Sequence, residues 1–489
     1  MTLTESPEPR RVAARGPTVA PDRPEALLDA RHLAEERGWR RTVAGSSTLW
    51  LKGHLHGSDP VRLAASLGTD GAEAAIRRIA ALDGHFAIVA TTLAWAVAAT
   101  DRVGSTPLFY ALAAAGMLVG SQARRLAERL GAPSYEPAAL AELAMAGYTI
   151  GPRTIMGGLE MLGPGEALVF EAGAPPARRR YYAYSPWLAA EEDSHRLERR
   201  LVELTLGVLE KMVAGLDRRP VLIPLSAGLD SRLVASGLRH IGHRGVRCFS
   251  YGLPGNHEAE AGRRIAEALG YPWTFVAHAP ARQRALFGSA ICRDHEAYAD
   301  TLAAVPFQQD LAAVSTLKAR GYAPAESVFV NGQSGDFITG NHIPDSLFEP
   351  APDGAAVETR WRRITDVAIA KHFSLWGALK TEGALARIRA RLAADLESCG
   401  AVLGDPALDY ALYECSEFQN RQSKYVVQGQ RTYEFLGFDW RLPLWDRDFV
   451  DFWERAPLAA KRRQALYRAT LERANWGGVW GSGWRFPLR

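Results

Sequence analysis

The sequence predicts two domains of different class: an α+β sandwich of antiparallel sheets over residues 48–183, then an α/β domain with a doubly wound parallel sheet over residues 184–489. Three observations predict it. A chain of 489 residues exceeds one ordinary hydrophobic core. Short apolar runs separated by turn residues crowd the first region. From Val221 onward, apolar runs lead through small-residue turns into helical periodicity, the alternation that builds parallel sheets.

In the first region, Trp50-Leu51-Lys52-Gly53-His54-Leu55 reads as a strand, and Gly71 to about Leu82 as a helix with Ala75, Ile76, Ile79 and Leu82 on one side. Phe86–Ala90, Leu93–Ala98, Pro107–Ala111 and Met117–Val119 read as further strands, and helices follow near 123–130 and 137–146. The stretch from Phe86 to Ala99 is the most apolar. It is too short to span a bilayer and reads as two strands meeting near Thr91-Thr92, so no membrane partner is expected. Residues 1–47 are expected to be a mostly disordered or irregular arm, because Pro7, Pro9, Pro17, Pro21 and Pro24 interrupt it and it carries no secretory apolar run.

Composition narrows the function classes. With 47% hydrophobic and 23% charged residues the chain is globular. A net charge of +4, with no basic blocks beyond Arg178-Arg179-Arg180 and Lys461-Arg462-Arg463, argues against a nucleic-acid partner, and both blocks read as solvated faces. Cys248, Cys292, Cys399 and Cys415 are far apart, and no Cys-x-x-Cys pair occurs. Neither a zinc site nor a disulfide framework is indicated, and reduced thiols in a cytoplasmic protein are expected.

The second region opens with a helix over 191–214 that leads into Val221-Leu222-Ile223-Pro224-Leu225, a short buried strand. Ser226, Ala227 and Gly228 form a small-residue turn, and Asp230 and Ser231 open a helix. A strand, a tight turn and a helix N-terminus make an anion site of backbone N–H groups, to which Ser226 and Ser231 add hydroxyls. Asp230 does not suit a bare anion but suits a Mg²⁺ ion carried on one. The loop is not a Walker loop, since no lysine follows. Val246–Tyr251, a helix from Glu258 closed by Gly270, and Trp273–Val276 continue the alternation. Val328-Phe329-Val330-Asn331-Gly332-Gln333-Ser334-Gly335-Asp336 repeats the design of strand, glycine-containing loop and acid. Asp230 and Asp336, at the ends of two neighbouring strands, are the candidate pair for Mg²⁺ on a polyphosphate. Glu414 to Tyr433 reads as a polar helix, on which Arg421, Lys424 and Arg431 either face phosphates or an acidic substrate or form a solvated face. A last helix runs from 465 to 474.

Ser226-Ala227-Gly228-Leu229-Asp230-Ser231 resembles the Ser-Gly-Gly-x-Asp-Ser pyrophosphate loop of ATP pyrophosphatases, with Ala227 in place of the first glycine. Asp101-Arg102-Val103-Gly104-Ser105-Thr106-Pro107-Leu108-Phe109-Tyr110, the 331–336 loop, Phe249–Gly255 and Asp439-Trp440-Arg441-Leu442-Pro443-Leu444-Trp445-Asp446 are similar to segments of the asparagine synthetase family, in the same order. The resemblance covers about residues 48–489. It implies an Ntn-hydrolase-like, glutaminase-type first domain and an adenine-nucleotide-α-hydrolase-like (PP-loop) second domain. It also implies ATP and Mg²⁺ as cofactors, with backbone groups near Leu225 and Tyr251 at the adenine and ribose, and Asn331 and Gly332 in the second loop.

The departures from that family carry their own expectations. Its glutaminase uses a cysteine directly after the initiator Met; here Thr2 follows Met1, and no cysteine precedes Cys248. Leu51-Lys52-Gly53-His54 stands where the family has Leu-Asn-Gly-Glu, so the Asn that helps bind glutamine is replaced. A first domain without glutaminase chemistry is expected. Gln333 replaces a Glu that assists proton removal, Phe337 replaces an acid, and the tail offers Arg485 where the family has a lysine. The expected function is that of an ATP-dependent, AMP-forming carbon–nitrogen ligase. It adenylates a small-molecule or peptide carboxylate, releases pyrophosphate and forms an amide with ammonia, with ammonia from a separate source, or with an amine. Alternatives are a catalytically weakened pseudoenzyme or scaffold, an intramolecular amide former of the β-lactam synthetase or peptide cyclase type, and a tRNA-modifying ATP pyrophosphatase, against which the near-neutral charge speaks. Oligomeric state is left open.

Overall fold

The computed structural model describes residues 28–69, 71–113, 116–131, 133–171, 174–352, 354–484 and 486. In chain order the strands are β1 Leu28–Asp29, β2 Arg40–Ala44, β3 Ser47–Leu55, β4 Gly84–Thr91, β5 Trp95–Thr100, β6 Phe109–Ala113, β7 Gly116–Gly120, β8 Leu159–Met161, β9 Glu166–Glu171, β10 Ala177–Arg180, β11 Val221–Pro224, β12 Val246–Gly252, β13 Trp273–Ala277, β14 Val328–Val330 and β15 Asp439–Arg441. Among the described residues these form a four-stranded sheet (β1-β7-β6-β8), a six-stranded sheet (β10-β9-β5-β4-β3-β2) and a five-stranded sheet (β13-β12-β11-β14-β15).

The first two sheets face each other as the period-2 pattern requires. Trp50, Ala87, Val89, Ala96, Ala98, Leu168 and Phe170 meet Leu108, Met117 and Val119 between the sheets. The alternate residues Leu49, Leu51, Ile88, Val97 and Val169 point outward. They are covered by the helices Pro60–Leu67 and Ala72–Ala80, which supply Leu63, Leu67, Ile76 and Ile79. The outer face of the smaller sheet is closed by the helix Ala123–Arg129 and by Leu302 and Ala303 of the second half. This is the expected glutaminase-type sandwich. One expectation is corrected: residues 28–47 are not an irregular arm. Leu28 and Asp29 pair in parallel with β7, Leu33 is buried, and Arg40–Ala44 forms the edge strand beside β3. The edge strand has one solvated face and carries almost no apolar residues, so the hydrophobic pattern could not reveal it. Residues 1–27, Thr2 included, lie outside the described residues.

All four pairings of the third sheet are parallel. The helices Ser194–Ala214, Leu229–His240 and His257–Leu269 pack on it, and Gly270 ends the third of them in the left-handed conformation (φ 69°). A second apolar cluster joins the helices Val357–His372, Glu382–Ser398 and Asp409–Glu417. The predicted helix over 414–433 is irregular: after Glu417 it widens into a π-helical stretch Phe418–Val426, tightens over Val427–Gln430 and resumes as α-helix at Arg431–Leu436. The four cysteines are buried and unbridged. No helix among the described residues is long and apolar enough to cross a membrane.

Candidate active site

β11 and β14 are parallel neighbours, so the loops that follow them emerge at the same edge of the sheet. Gly228 caps the helix after the first loop in an extended conformation (φ −61°, ψ 165°) and makes no use of positive φ. The glycines that matter sterically are in the second loop. A Cβ on Gly332 would lie 2.6 Å from the Asp230 carbonyl carbon, and one on Gly335 would lie 2.5 Å from the Asp230 carboxyl carbon. Only glycine lets the second loop rest on Asp230, and the Asp336 N–H then donates to Asp230 Oδ2 at 2.9 Å. Ser334 between them is held left-handed (φ 65°), with its hydroxyl donating to Gln422 Oε1 at 2.9 Å.

Leu225, Ser226, Gly228, Asp230, Ser231, Tyr251, Asn331, Gly332, Gln333 and Asp336 line one cleft of about 570 Å³. Two candidates from the sequence do not. Ala227 is fully buried beneath the loop, and its N–H donates to Glu258 Oε2 at 2.8 Å. Arg485 lies outside the described residues. Leu225 borders the cleft, but its N–H already donates to the Phe249 carbonyl at 2.8 Å and its carbonyl accepts the Ser250 hydroxyl at 2.6 Å. The carbonyl keeps one lone pair for a ligand.

The electrostatics suit a cation. Burial, and then the Asp336 charge, push the Asp230 carboxyl up to about 7, although the Tyr467 hydroxyl donates to its Oδ1 at 3.0 Å. Burial would also raise Asp336, but His342 prevails and holds it below the ordinary carboxylate value; His342 Nε2 is 3.0 Å from Asp336 Oδ2. His342 in turn contacts the buried Glu417 through Nδ1, and these two acids overcome its burial and raise it to about 9. No group of three or more His, Cys, Asp or Glu side chains suited to a metal occurs among the described residues. Two carboxylates beside a polyphosphate do suit Mg²⁺, which keeps waters and phosphate oxygens as its other ligands, and every carboxylate oxygen here retains a free lone pair. The backbone donors expected for an anion at the first loop are partly spent: the Ala227 N–H goes to Glu258 Oε2, the Ser226 N–H to Ser231 Oγ and the Gly228 N–H to Ser226 Oγ.

Several site residues escaped the sequence reading. Asp310 accepts hydrogen bonds from the hydroxyls of Tyr251 and Tyr433 beneath the cleft. Phe307 forms part of the cleft wall, and Gln430 Nε2 donates to Gln333 Oε1 at 2.8 Å. Asp310 and Phe307 sit in the 11-residue segment 300–310 between two helices, with no motif, and only their aromatic and acidic character could have flagged them. Of the three cations expected on the polar helix, Lys424 and Arg431 are buried struts to the first domain. Lys424 Nζ donates to the Thr149 carbonyl at 2.7 Å, and Arg431 reaches the Ser121 carbonyl at 3.4 Å. Only Arg421 stays partly exposed, 3.7 Å from Glu417. Lys461 is no solvated residue either: it is fully buried, 2.7 Å from Glu414.

Comparison with known proteins agrees with this layout. Residues 207–475, more than half of the chain, match the family described as asparagine synthase, and residues 63–182 match the glutamine amidotransferase domain. No curated protein gave a match. Among solved structures, the chain is similar to glutamine phosphoribosylpyrophosphate amidotransferase from B. subtilis (13% identity, 62% of this chain and 60% of that chain, TM-score 0.19). It is also similar to NH3-dependent NAD synthetase from Campylobacter jejuni (11% identity, 44% and 99%, TM-score 0.22) and to NMN synthetase from Francisella tularensis (15% identity, 46% and 93%, TM-score 0.20). The chain thus spans about 60% of the length of the B. subtilis enzyme. With the synthase match running from the helix before β11 to the helix that bears Tyr467, and so containing both acidic loops, this chain belongs to the asparagine synthase family of ATP-dependent amide-forming ligases.

Proposed function

We propose that the chain adenylates a carboxylic acid with MgATP in this cleft and passes the acyl group to ammonia or an amine. The juxtaposition of Asp230 and Asp336 carries the reading: the glycines of the second loop bring the Asp336 N–H within one hydrogen bond of the Asp230 carboxylate, and burial together with the Asp336 charge raises Asp230, a cost that a cation would relieve. A carboxylate oxygen of the substrate attacks the α-phosphorus, the bond from that phosphorus to the β-phosphate's bridging oxygen breaks, and pyrophosphate leaves. The nitrogen then attacks the acyl carbon, the carbon–oxygen bond to AMP breaks, and the nitrogen loses a proton to the departing AMP phosphate or to solvent. Bound Mg²⁺ supplies charge neutralisation at the departing phosphates. The Ser226 and Ser231 hydroxyls orient phosphate oxygens, the N–H groups of Ser226, Ala227 and Gly228 being held by Ser231 Oγ, Glu258 Oε2 and Ser226 Oγ, and the Tyr251–Asp310–Tyr433 set fixes the cleft wall beside them.

The nitrogen enters as its free base. Gln333 and Gln430 form a neutral amide pair at the acceptor side, and an amide takes no proton at neutral pH. The test is incubation with MgATP, a panel of small-molecule and peptide carboxylates, and ammonium or glutamine, following pyrophosphate and AMP. Pyrophosphate and AMP formed in equal amounts, only with a carboxylate present, are the expected result. Absence of carboxylate-dependent pyrophosphate across the panel would sink the reading.

A further inference from the structure

The helix Arg431–Leu436 joins the two halves of the molecule at the cleft. On one side it meets the first domain. Lys52 of β3, buried to 3% exposure, places its Nζ 2.9 Å from Glu434 Oε2. The same carboxylate accepts the Tyr298 hydroxyl at 2.8 Å and the Trp440 indole N–H at 3.0 Å. Arg37 donates to the carbonyls of Glu434 and Phe435 at 2.9 and 2.6 Å, closing the helix C-terminus just before Gly437. On its other side the helix reaches cleft-lining residues. The Tyr433 hydroxyl donates to Asp310 and accepts from Asn331 Nδ2 at 3.2 Å, and the Thr432 hydroxyl donates to the Phe307 carbonyl at 3.1 Å.

Burial alone would lower the Lys52 ammonium, but the Glu434 charge outweighs it, and Glu434 is held below its ordinary value against its own burial by Lys52 and then Arg431. Both groups are therefore ionised and mutually compensated. Lys52 has no charge left for a ligand in the neighbouring cavity of about 370 Å³, which Arg40, His54 and Trp440 also line.

We propose that Lys52 is a positioning residue for the nucleotide cleft, so that the first domain serves as a platform that sets Asp310, Asn331 and Phe307 through the helix Arg431–Leu436, and not as a glutamine site. The inference rests on the ligase reading. Lys52→Met alone leaves Glu434 buried and unpaired and endangers folding, so the decisive protein is the double variant Lys52→Met/Glu434→Gln. Its control is Arg360→Met/Asp409→Asn, which removes a pair 2.6 Å apart and equally buried, within the helical cluster. Titration calorimetry with Mg²⁺ and a non-hydrolysable ATP analogue, alongside thermal unfolding, separates position from stability. The double variant should fold and bind the analogue roughly tenfold more weakly than wild type, while the control loses thermal stability and keeps wild-type affinity. Equal affinity in the double variant, or an equal loss in the control, overturns the proposal. So does glutamate release from glutamine by wild type that the folded double variant Lys52→Met/Glu434→Gln lacks. Failure of wild type to bind the analogue at all would overturn the ligase reading itself, and this inference with it.

Discussion

The nucleotide cleft and the cavity beside Lys52 are both polar and both assembled from distant segments, yet their charges are handled in opposite ways. Around Lys52 opposite charges meet: Lys52 with Glu434, and Arg219 with Asp439 at 2.6 Å. In the cleft, Asp230 and Asp336 face each other, and Asp230 is pushed up to about 7 by burial and by its neighbour. A region that serves the fold balances its charges internally. A region that serves a charged ligand leaves the imbalance in place until the ligand arrives.

The largest expected effect tests that imbalance directly. Asp230→Asn should cut carboxylate-dependent pyrophosphate release by about 10³-fold, the scale of losing one preorganised charge contact. It should also abolish the rise in thermal midpoint that MgATP gives wild type. Without nucleotide the same variant should be more stable than wild type at pH 8. The sign follows from the raised value: the unfolded chain ionises Asp230 near its ordinary 3.8 and the fold resists until about 7, so this group lowers stability progressively between those values and fully above them. Thermal unfolding at pH 4 and pH 8 would therefore show the gain only at the higher pH. A variant that is less stable than wild type at pH 8 would show that Asp230 is a structural acid.

The balanced class predicts the converse. Lys461 and Glu414 are both fully buried, 2.7 Å apart, under Tyr184 and Tyr410. Lys461→Met should cost about 3–5 kcal/mol in urea unfolding by stranding Glu414, and adding Glu414→Leu should recover most of that loss. If the single and double variants are equally unstable, the pair is not what holds this helix junction.

This contrast also separates what the sequence disclosed from what it did not. Strands β3 to β7 and β11 to β14, the order of the two sheet types, and the pairing of Asp230 with Asp336 were legible because each rests on local periodicity or on a glycine-containing loop behind an apolar run. Gln430, Asp310 and Phe307 were not, since nothing local marks a residue whose role is set by a partner about a hundred positions away in the chain. Lys424, Arg431 and Lys461 misled for the same reason: a basic residue on a polar stretch reads as solvated unless the buried partner is known, and their partners lie at Thr149, Ser121 and Glu414. Edge strand β2 escaped because its pattern is almost wholly polar.

A smaller effect is expected at the border between the two regimes, where His342 bridges Asp336 and Glu417. Raised from 6.5 to about 9, its charge contributes stability that is fully present below pH 6.5 and lost as pH rises through about 9. The stability difference between wild type and His342→Gln should therefore shrink by on the order of 2 kcal/mol between pH 6 and pH 10. Urea titrations at both ends measure it, and a difference that does not change with pH would mean that His342 is neutral and the cleft acids are less compensated than the geometry indicates.

The smallest effect concerns the neutral end of the cleft. Gln333→Glu puts a carboxylate where Gln430 Nε2 can still donate to it, at the 2.8 Å spacing that the amide pair now holds. If the nitrogen enters as its free base, wild type should follow the basicity of the nucleophile: at pH 7 ammonia should be used poorly and the less basic hydroxylamine well. The variant should then gain roughly tenfold with ammonium, because a proton acceptor within reach shares the cost of deprotonating the cation before attack, and gain little with hydroxylamine, which is already largely the free base at pH 7. Pyrophosphate release before the nitrogen is added should be unchanged, since Gln333 carries no charge toward the phosphates. An equal response to both nucleophiles would trace the change to altered binding of the acyl group. A loss with both would mean that a further acid beside Asp230, Glu258, Asp310 and Asp336 exceeds the negative charge this cleft can hold, which would place the imbalance between Asp230 and Asp336 close to its upper limit.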